Sequence, residues 1–145
     1  SVRDILEPIA VAKGVLLRWD DQALTGQKFE SDTVRLSQIL INLVHNALKF
    51  TPAGRGVDVR FEKSPNRFAL EVADEGSGLP AEQQVLFEAF EQSFTVVSGP
   101  DHGVGLGLYV VQTNARLLGG QVRAKNNPSG GACFRVEWIA EGNRS

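Results

Sequence analysis

Hydrophobic residues recur at three- and four-residue spacing in three long segments, which is the pattern of amphipathic helices. The first segment runs from Arg3 to Lys13, the second from a capping Asp32 to about Lys49, and the third from about Gly105 to the glycines at 119 and 120. A short helical stretch is predicted at Leu86 to Phe90. The second segment carries the longest apolar stripe, formed by Leu36, Ile39, Leu40, Leu43, Val44 and Ala47.

Strict alternation of apolar and polar residues predicts strands elsewhere in the chain. Val57, Val59 and Phe61 alternate with charged residues, and the same period returns after a turn, so residues 57–72 are predicted to form a hairpin. Further strands are predicted at residues 15–17, 121–125 and 133–139. The strands gather around helices without regular alternation, which predicts a two-layer α+β sandwich.

Composition limits the classes of protein and partner. The 145 residues are 42% hydrophobic and 22% charged, which suits one folded domain covering residues 1–145. A formal charge of −2 gives no electrostatic attraction for nucleic acid or an anionic membrane, and we expect neither partner. The single cysteine, Cys133, is predicted to be a small strand residue and fits a reducing cytoplasm.

One side of the longest helix is polar, and its residues follow one another at helical spacing. These residues are Arg35, Gln38, Asn42, Asn46 and Lys49. Asparagine costs about half a kcal/mol relative to alanine in a helix, so two of them on one face call for a reason. A tolerated polar surface is one explanation. The other is a metal-phosphate clamp, in which the amide oxygens bind a hard cation such as Mg²⁺ and Lys49 meets phosphate oxygens.

Two glycine-containing motifs are further candidates for a ligand site. Asp74-Glu75-Gly76-Ser77-Gly78 ends a predicted strand, where the aspartate either caps a turn or accepts a hydrogen bond from the amine of adenine. His102-Gly103-Val104-Gly105-Leu106-Gly107-Leu108 leads into a helix, as a flexible hinge or as an anion site made of backbone N–H groups. The spacing fits neither a Rossmann fingerprint nor a Walker P-loop.

In order, these motifs resemble four boxes of the histidine-kinase branch of the GHKL ATPase superfamily. The N box corresponds to residues 42–51, the G1 box to 74–78, the F box to 86–90 and the G2 box to 103–108. Gly131 and Phe134 resemble a closing glycine-rich box, although Cys133 stands where a small hydroxyl residue is common. The resemblance implies a mixed, mostly antiparallel sheet with helices packed on one face.

The resemblance also assigns roles to individual residues. It implies that Asn46 holds Mg²⁺, that Asn42 and Lys49 contact phosphates as catalytic residues with Asn46, and that Asp74 recognises the adenine of ATP. Residues 92–103 would form a mobile lid. The residues expected to contact the nucleotide are Asn42, Asn46, Lys49, Phe50, Asp74, Gly76, Gly78, Phe90, Gly103, Val104, Gly105, Leu106, Gly107 and Leu108.

The residue at position 42 selects the chemistry within the superfamily. Gyrase and heat-shock chaperones carry a water-activating glutamate there, whereas this chain has an amide. The expected acceptor is therefore a histidine. Neither His45 nor His102 lies in a phosphoacceptor motif, so we expect the acceptor on a separate dimerisation domain of the same kinase, preceding Ser1. We also expect a response-regulator receiver as partner and a cytoplasmic location, either soluble or as part of a membrane-anchored sensor.

One departure from the family pattern leaves an alternative open. From Gln92 to Val104 the chain has no Arg or Lys, and His102 is the one candidate cation for the transferring phosphoryl group. Val104 also replaces a common Thr or Ser. The alternative is a nucleotide-binding regulatory module with weak or no phosphotransfer. An ATP-hydrolysing relative is disfavoured by Asn42, and a serine kinase of the anti-sigma type by the Lys49-Phe50-Thr51 end of the N box.

Overall fold

The computed structural model describes residues 2–20, 22, 33–76, 78, 102–128 and 130–139. Its elements are α1 (Val2–Lys13), β1 (Leu16–Asp20), α2 (Thr33–Phe50), β2 (Gly56–Lys63), β3 (Arg67–Asp74), α3 (His102–Leu117), β4 (Gln121–Asn126) and β5 (Ala132–Ile139). The predicted cap at Asp32, the short helix at residues 86–90 and most of the predicted lid lie outside the described residues.

The five described strands form one sheet in the order β1-β2-β3-β5-β4. The pairing of β1 with β2 is parallel, and the other three pairings are antiparallel. Alternate strand residues, such as Val57, Val72 and Val136, are fully buried in the core that α1, α2 and α3 cover. The predicted α+β sandwich with a mixed, mostly antiparallel sheet is therefore confirmed.

The apolar stripe of α2 supplies much of this core. Five of its six predicted members are buried, and Leu36 lies partly buried against the core. In α3, Val111 and Ala115 are fully buried, as is Leu118 directly after the helix. Burial of such side chains, at about 25 cal/mol per Å² of apolar surface, is what holds the helices against the sheet.

Several element boundaries differ from the sequence predictions, among them the starts of α3 and β1. Helix α3 begins at His102 instead of about Gly105, so its first turn includes Gly103, a residue of low helix propensity. Strand β1 begins at Leu16 because the N–H of Val15 donates to the carbonyl of Ala10 and closes α1. The predicted glycine ends are confirmed by positive φ angles of 77° at Gly14 and 76° at Gly119.

Strand residues that alternate with the core positions form a charged network centred on Arg135. Its guanidinium contacts Glu71 and Glu137, each at 2.8 Å, and Glu62 at 2.9 Å. Hydrogen bonds from Arg135 are the main cause that lowers the pKa of both Glu62 and Glu137 below 4.5. The same bonds, that to Glu62 first, raise the pKa of Arg135.

We predict that Arg135→Met lowers the free energy of unfolding by about 1 kcal/mol at neutral pH, a small value because the groups are partly exposed. Carboxylates with depressed pKa values stabilise the fold above the unfolded-state pKa, and this contribution is lost as the pH falls through the folded-state pKa. The difference from wild type should therefore shrink below about pH 4.5. Urea unfolding at pH 7 and pH 3 tests this, with exposed Arg55→Met as the control. An equal difference at both pH values would contradict it.

Candidate functional site

Asp74, the last residue of β3, is a buried carboxylate fixed by main-chain groups. Only 7% of this residue is exposed. The Oδ1 atom accepts hydrogen bonds from the N–H of Gly76 at 2.9 Å and from that of Ala132 at 3.1 Å. Among the hydrogen bonds of the described residues, Oδ2 has no partner. This atom can therefore accept a bond from a ligand.

Two glycines allow other elements to approach Asp74 closely. A Cβ atom on Gly76 would lie 2.5 Å from the carbonyl oxygen of Phe50, the last residue of α2. A Cβ on Gly131 would lie 1.8 Å from the carbonyl oxygen of Asp74, and Gly131 has a φ of +85°. The ends of α2 and β3 and the start of β5 thus meet, bringing together the predicted site residues Phe50, Asp74 and Gly76. Gly78 lies nearby, against Asn126.

The polar side of α2 has two different environments along its length. Toward the N-terminus, Arg35 and Gln38 face α3: Arg35 Nη1 lies 3.5 Å from Asn114 Oδ1, and Asn114 Nδ2 donates to Gln38 Oε1 at 3.0 Å. Asn114 Nδ2 also donates to the Val110 carbonyl. The first half of the polar face is therefore used in helix contact.

The second half of this face carries the predicted clamp residues. Asn42 and Asn46 are partly buried, and Lys49 is exposed. Asn42 Nδ2 donates to the carbonyl of Gln38 at 2.7 Å. This bond fixes the orientation of the side-chain amide and therefore the direction of its oxygen. The ammonium of Lys49 lies 5.5 Å from the centroid of the Phe50 ring. All three side chains remain open to a ligand at least in part.

Asn114 is a residue of this region that the motifs did not reveal. It is 5% exposed and lies three residues after Val111 and one before Ala115, inside the apolar stripe of α3. A polar residue at such a position is buried and therefore needs partners, which Gln38 and Val110 supply. The interruption of an otherwise apolar stripe was the signal in the sequence.

The N-terminus of α3 lies at the same end of the sheet as Asp74. Three residues separate the end of α3 from Gln121, which pairs with Glu137 at the end of the sheet far from Asp74. A 16-residue helix spans about 24 Å, so α3 runs back toward Asn126, which pairs with Ala132 beside Asp74. Helices α2 and α3 are thus antiparallel, and the contact at Asn114 lies at their far end.

The glycine motif of residues 103–108 is helical in the structure and is not an extended loop. Gly103 and Val104 lie in the first turn of α3, where N–H groups lack intrahelical acceptors. Gly105, Leu106, Gly107 and Leu108 lie further along the helix. The anion-binding capacity predicted for this motif therefore falls on the first turn. The side chains of residues 102–109 and the predicted contact of Phe90 lie outside the described part of the structure.

The described donor groups would allow a magnesium ion to be held through few protein oxygens. No group of three or more His, Cys, Asp or Glu residues in the described ranges could hold a metal ion. Mg²⁺ commonly takes one or two protein oxygens together with phosphates and water, and the amide oxygen of Asn46 suits that role.

Among the described residues, none of the helices has the length and apolar character needed to span a membrane.

Comparison with protein families identifies this arrangement. The family described as "Histidine kinase-, DNA gyrase B-, and HSP90-like ATPase" matches residues 31–142. The chain belongs to this family. It is 39% identical over 114 residues to the circadian input-output histidine kinase CikA of Synechococcus elongatus, covering 78% of this chain and 15% of CikA. It is 37% identical over 129 residues to the sensor protein CutS of Streptomyces coelicolor, covering 88% of this chain and 30% of CutS.

Solved histidine kinases share the fold. Full-length ShkA in complex with AMPPNP matches with a TM-score of 0.72 and 33% identity, over 96% of this chain and 28% of ShkA. The catalytic domain of ThkA matches with a TM-score of 0.75 and 24% identity, over 95% of this chain and 87% of that domain. The resemblance to the histidine-kinase branch is confirmed, and this chain spans less than a third of the length of CikA and CutS.

The contact of Gly131 with Asp74 leads to a prediction that has a neighbouring control. We expect Gly131→Ala to lower the free energy of unfolding by at least about 3 kcal/mol, because its Cβ would overlap the Asp74 carbonyl and its φ is positive. Gly130 has a φ of +104°, but an added Cβ would have no atom within 4 Å. Gly130→Ala should therefore lower the free energy of unfolding by only about 1 kcal/mol. Thermal unfolding of both variants measures the difference. Equal losses would show that the close approach is unimportant.

Proposed function

We propose that this domain binds Mg-ATP and donates its γ-phosphate to a histidine on a separate dimerisation and phosphoacceptor domain of the same kinase. The phosphoryl group would then pass to an aspartate on a response-regulator receiver domain. The observation that carries the proposal is the buried carboxylate of Asp74, which backbone N–H groups hold through one oxygen while the other is available. This carboxylate lies where the ends of α2 and β3 and the start of β5 meet, at the end of the sheet toward which the N-terminus of α3 points.

The base would be recognised at Asp74. Its Oδ2 accepts a hydrogen bond from the exocyclic amine of adenine, while the glycines at 76 and 78 let the flat ring approach the backbone. The ring of Phe50 is 38% exposed and supplies apolar surface at the end of α2. Phe90 is expected, from the family resemblance, to add a second aromatic contact.

The phosphates would lie between α2 and the first turn of α3. Asn46 holds the magnesium ion, and Asn42 and Lys49 contact phosphate oxygens. The N–H groups of Gly103 and Val104 and the positive end of the helix dipole favour the negative charge of the phosphates. Residues 105–108, which follow in the same helix, are expected to add further contacts with the nucleotide. When bound, Mg²⁺ neutralises charge on the phosphate oxygens.

The absence of a general base at position 42 favours transfer over hydrolysis. An asparagine amide cannot remove a proton from water, so ATP persists until an imidazole arrives. The imidazole nitrogen then attacks the γ-phosphorus, and the bond from that phosphorus to the ADP oxygen breaks as the new P–N bond forms. The contribution of the domain is position and charge stabilisation.

Asp74→Asn tests the base site without removing its internal bonds. The asparagine oxygen can still accept from the N–H groups of Gly76 and Ala132, but an NH₂ group replaces the oxygen that would face the amine of adenine. We expect affinity for ATP to fall by at least about tenfold and the preference for ATP over inosine triphosphate to disappear. Fluorescence titration measures both, with exposed Asp20→Asn as control. Unchanged affinity and selectivity would remove the site assignment.

Phosphotransfer is tested by adding a purified phosphoacceptor domain and radiolabelled ATP to this domain. We expect magnesium-dependent labelling of the acceptor histidine by the wild type, and at least about a tenfold lower rate with Asn46→Ala because the metal loses its protein ligand. Gln38→Ala is the control. It changes a residue on the same face of α2, but at the end that contacts α3. Steady phosphate release without an acceptor would instead indicate a hydrolase.

The second candidate function is a nucleotide-binding regulatory module. It is favoured by the sequence from Gln92 to Val104, which contains no Arg or Lys to stabilise the transferring phosphoryl group. This candidate predicts tight, magnesium-dependent binding in the titration together with no labelled histidine in the transfer assay. The two measurements therefore separate it from the kinase.

A further inference from the structure

The C-terminal end of α2 is held by a charged residue of α1. Lys13, the last residue of α1, donates from Nζ to the carbonyl oxygen of Leu48 and, at 2.6 Å, to that of Lys49. Carbonyl groups in the last turn of a helix lack intrahelical N–H partners, and a cation there also complements the helix dipole. Lys13 therefore satisfies the end of the helix that carries Lys49 and Phe50.

Backbone bonds join the same two regions beside Lys13. The N–H of Gly54 donates to the Gly14 carbonyl at 2.8 Å, and the N–H of Leu16 donates to the Arg55 carbonyl at 2.9 Å. Directly after α2, the hydroxyl of buried Thr51 donates to the Ala47 carbonyl at 2.7 Å. The end of α1 and the loop after α2 thus form a connected unit.

The other side of this helix end supports the loop that follows Asp74. The carbonyl of Phe50 lies so close to Gly76 that even a Cβ atom would not fit between them. Gly76 in turn donates its N–H to Asp74 Oδ1. A displacement of the last turn of α2 would therefore be passed through the Phe50 carbonyl and Gly76 to the Asp74 carboxylate.

We propose that Lys13 is a positioning residue for recognition of the adenine base. It fixes the last turn of α2, and this turn fixes Gly76 and the orientation of Asp74, so Lys13 acts without touching the nucleotide. The proposal rests on the proposed function in one respect, that Asp74 binds adenine. It makes α1 a part of the binding site's support, in addition to its burial of Leu6 and Ala10 in the core.

The position of the effect distinguishes Lys13 from a direct phosphate ligand. If Lys13 acts through Gly76 and Asp74, its loss weakens the binding of adenosine and the binding of ATP by the same factor, because both ligands contain the base. Exposed Lys49 is proposed to meet phosphate, so Lys49→Met should weaken ATP and leave adenosine unchanged. The ratio of the two affinities therefore separates an effect on the base site from an effect on the phosphate site. General destabilisation is excluded by the measuring temperature, by Lys13→Arg and by the control variant below.

The test is Lys13→Met, which keeps most of the side-chain length but removes the three N–H donors. We expect the Kd values of adenosine and of Mg-ATP to rise together by about three- to tenfold, as for loss of one ordinary hydrogen bond, because Lys13 acts on the nucleotide only indirectly. Lys13→Arg should restore most of the affinity. NMR titration of the whole domain measures both ligands, at a temperature well below every variant's unfolding midpoint.

Glu7→Ala is the matched control in α1. It removes the 2.9 Å hydrogen bond from Trp19 Nε1 to Glu7, which ties α1 to β1 away from the end of α2. Its Kd values should stay within about twofold of wild type. An equal loss in Glu7→Ala, unchanged Kd values in Lys13→Met, or weakening of ATP alone would overturn the role of Lys13. If Asp74→Asn bound adenosine as tightly as the wild type does, the proposed base site would be overturned as well.

Discussion

The two main-chain hydrogen bonds to Oδ1 of Asp74 are the constraint around which the site is built. One donor, Gly76, follows β3, and the other, Ala132, begins β5, so the carboxylate joins two strand ends that are distant in sequence. Fixing one oxygen in this way directs the other. A rigid acceptor of this kind costs little reorganisation when a ligand donor arrives.

Close backbone approach is the consequence of that constraint. The carbonyls of Phe50 and Asp74 occupy space that a side chain at position 76 or 131 would need. Both glycines are therefore required by the volume available, and Gly131 is also required by its positive φ. They also explain how a helix end can lie directly against the carboxylate that ends a neighbouring strand.

Helix α2 combines two tasks along one polar face. Its first half is fixed to α3 through Asn114. Its second half carries Asn42, Asn46 and Lys49 and ends at Phe50, whose carbonyl lies against Gly76 after β3. The buried stripe on its other side anchors both halves in the same core. Contacts at the far end of α2 and at its C-terminus together define where the middle of the helix lies relative to α3.

The sequence alone determined the elements and most of the candidate site, because local periodicity records which face of a helix or strand is buried. Asn42, Asn46 and Lys49 follow helical spacing, and Asp74 ends an alternating strand before a glycine turn. Periodicity does not record the partner across the interface. The parallel pairing of β1, the contact of Gly131 with Asp74, and the reach of Lys13 to Leu48 join distant segments, so only tertiary packing decided them. The start of α3 at His102 was not predicted either, because the weak helix propensity of glycine makes a helix end in a glycine-rich segment hard to place from sequence.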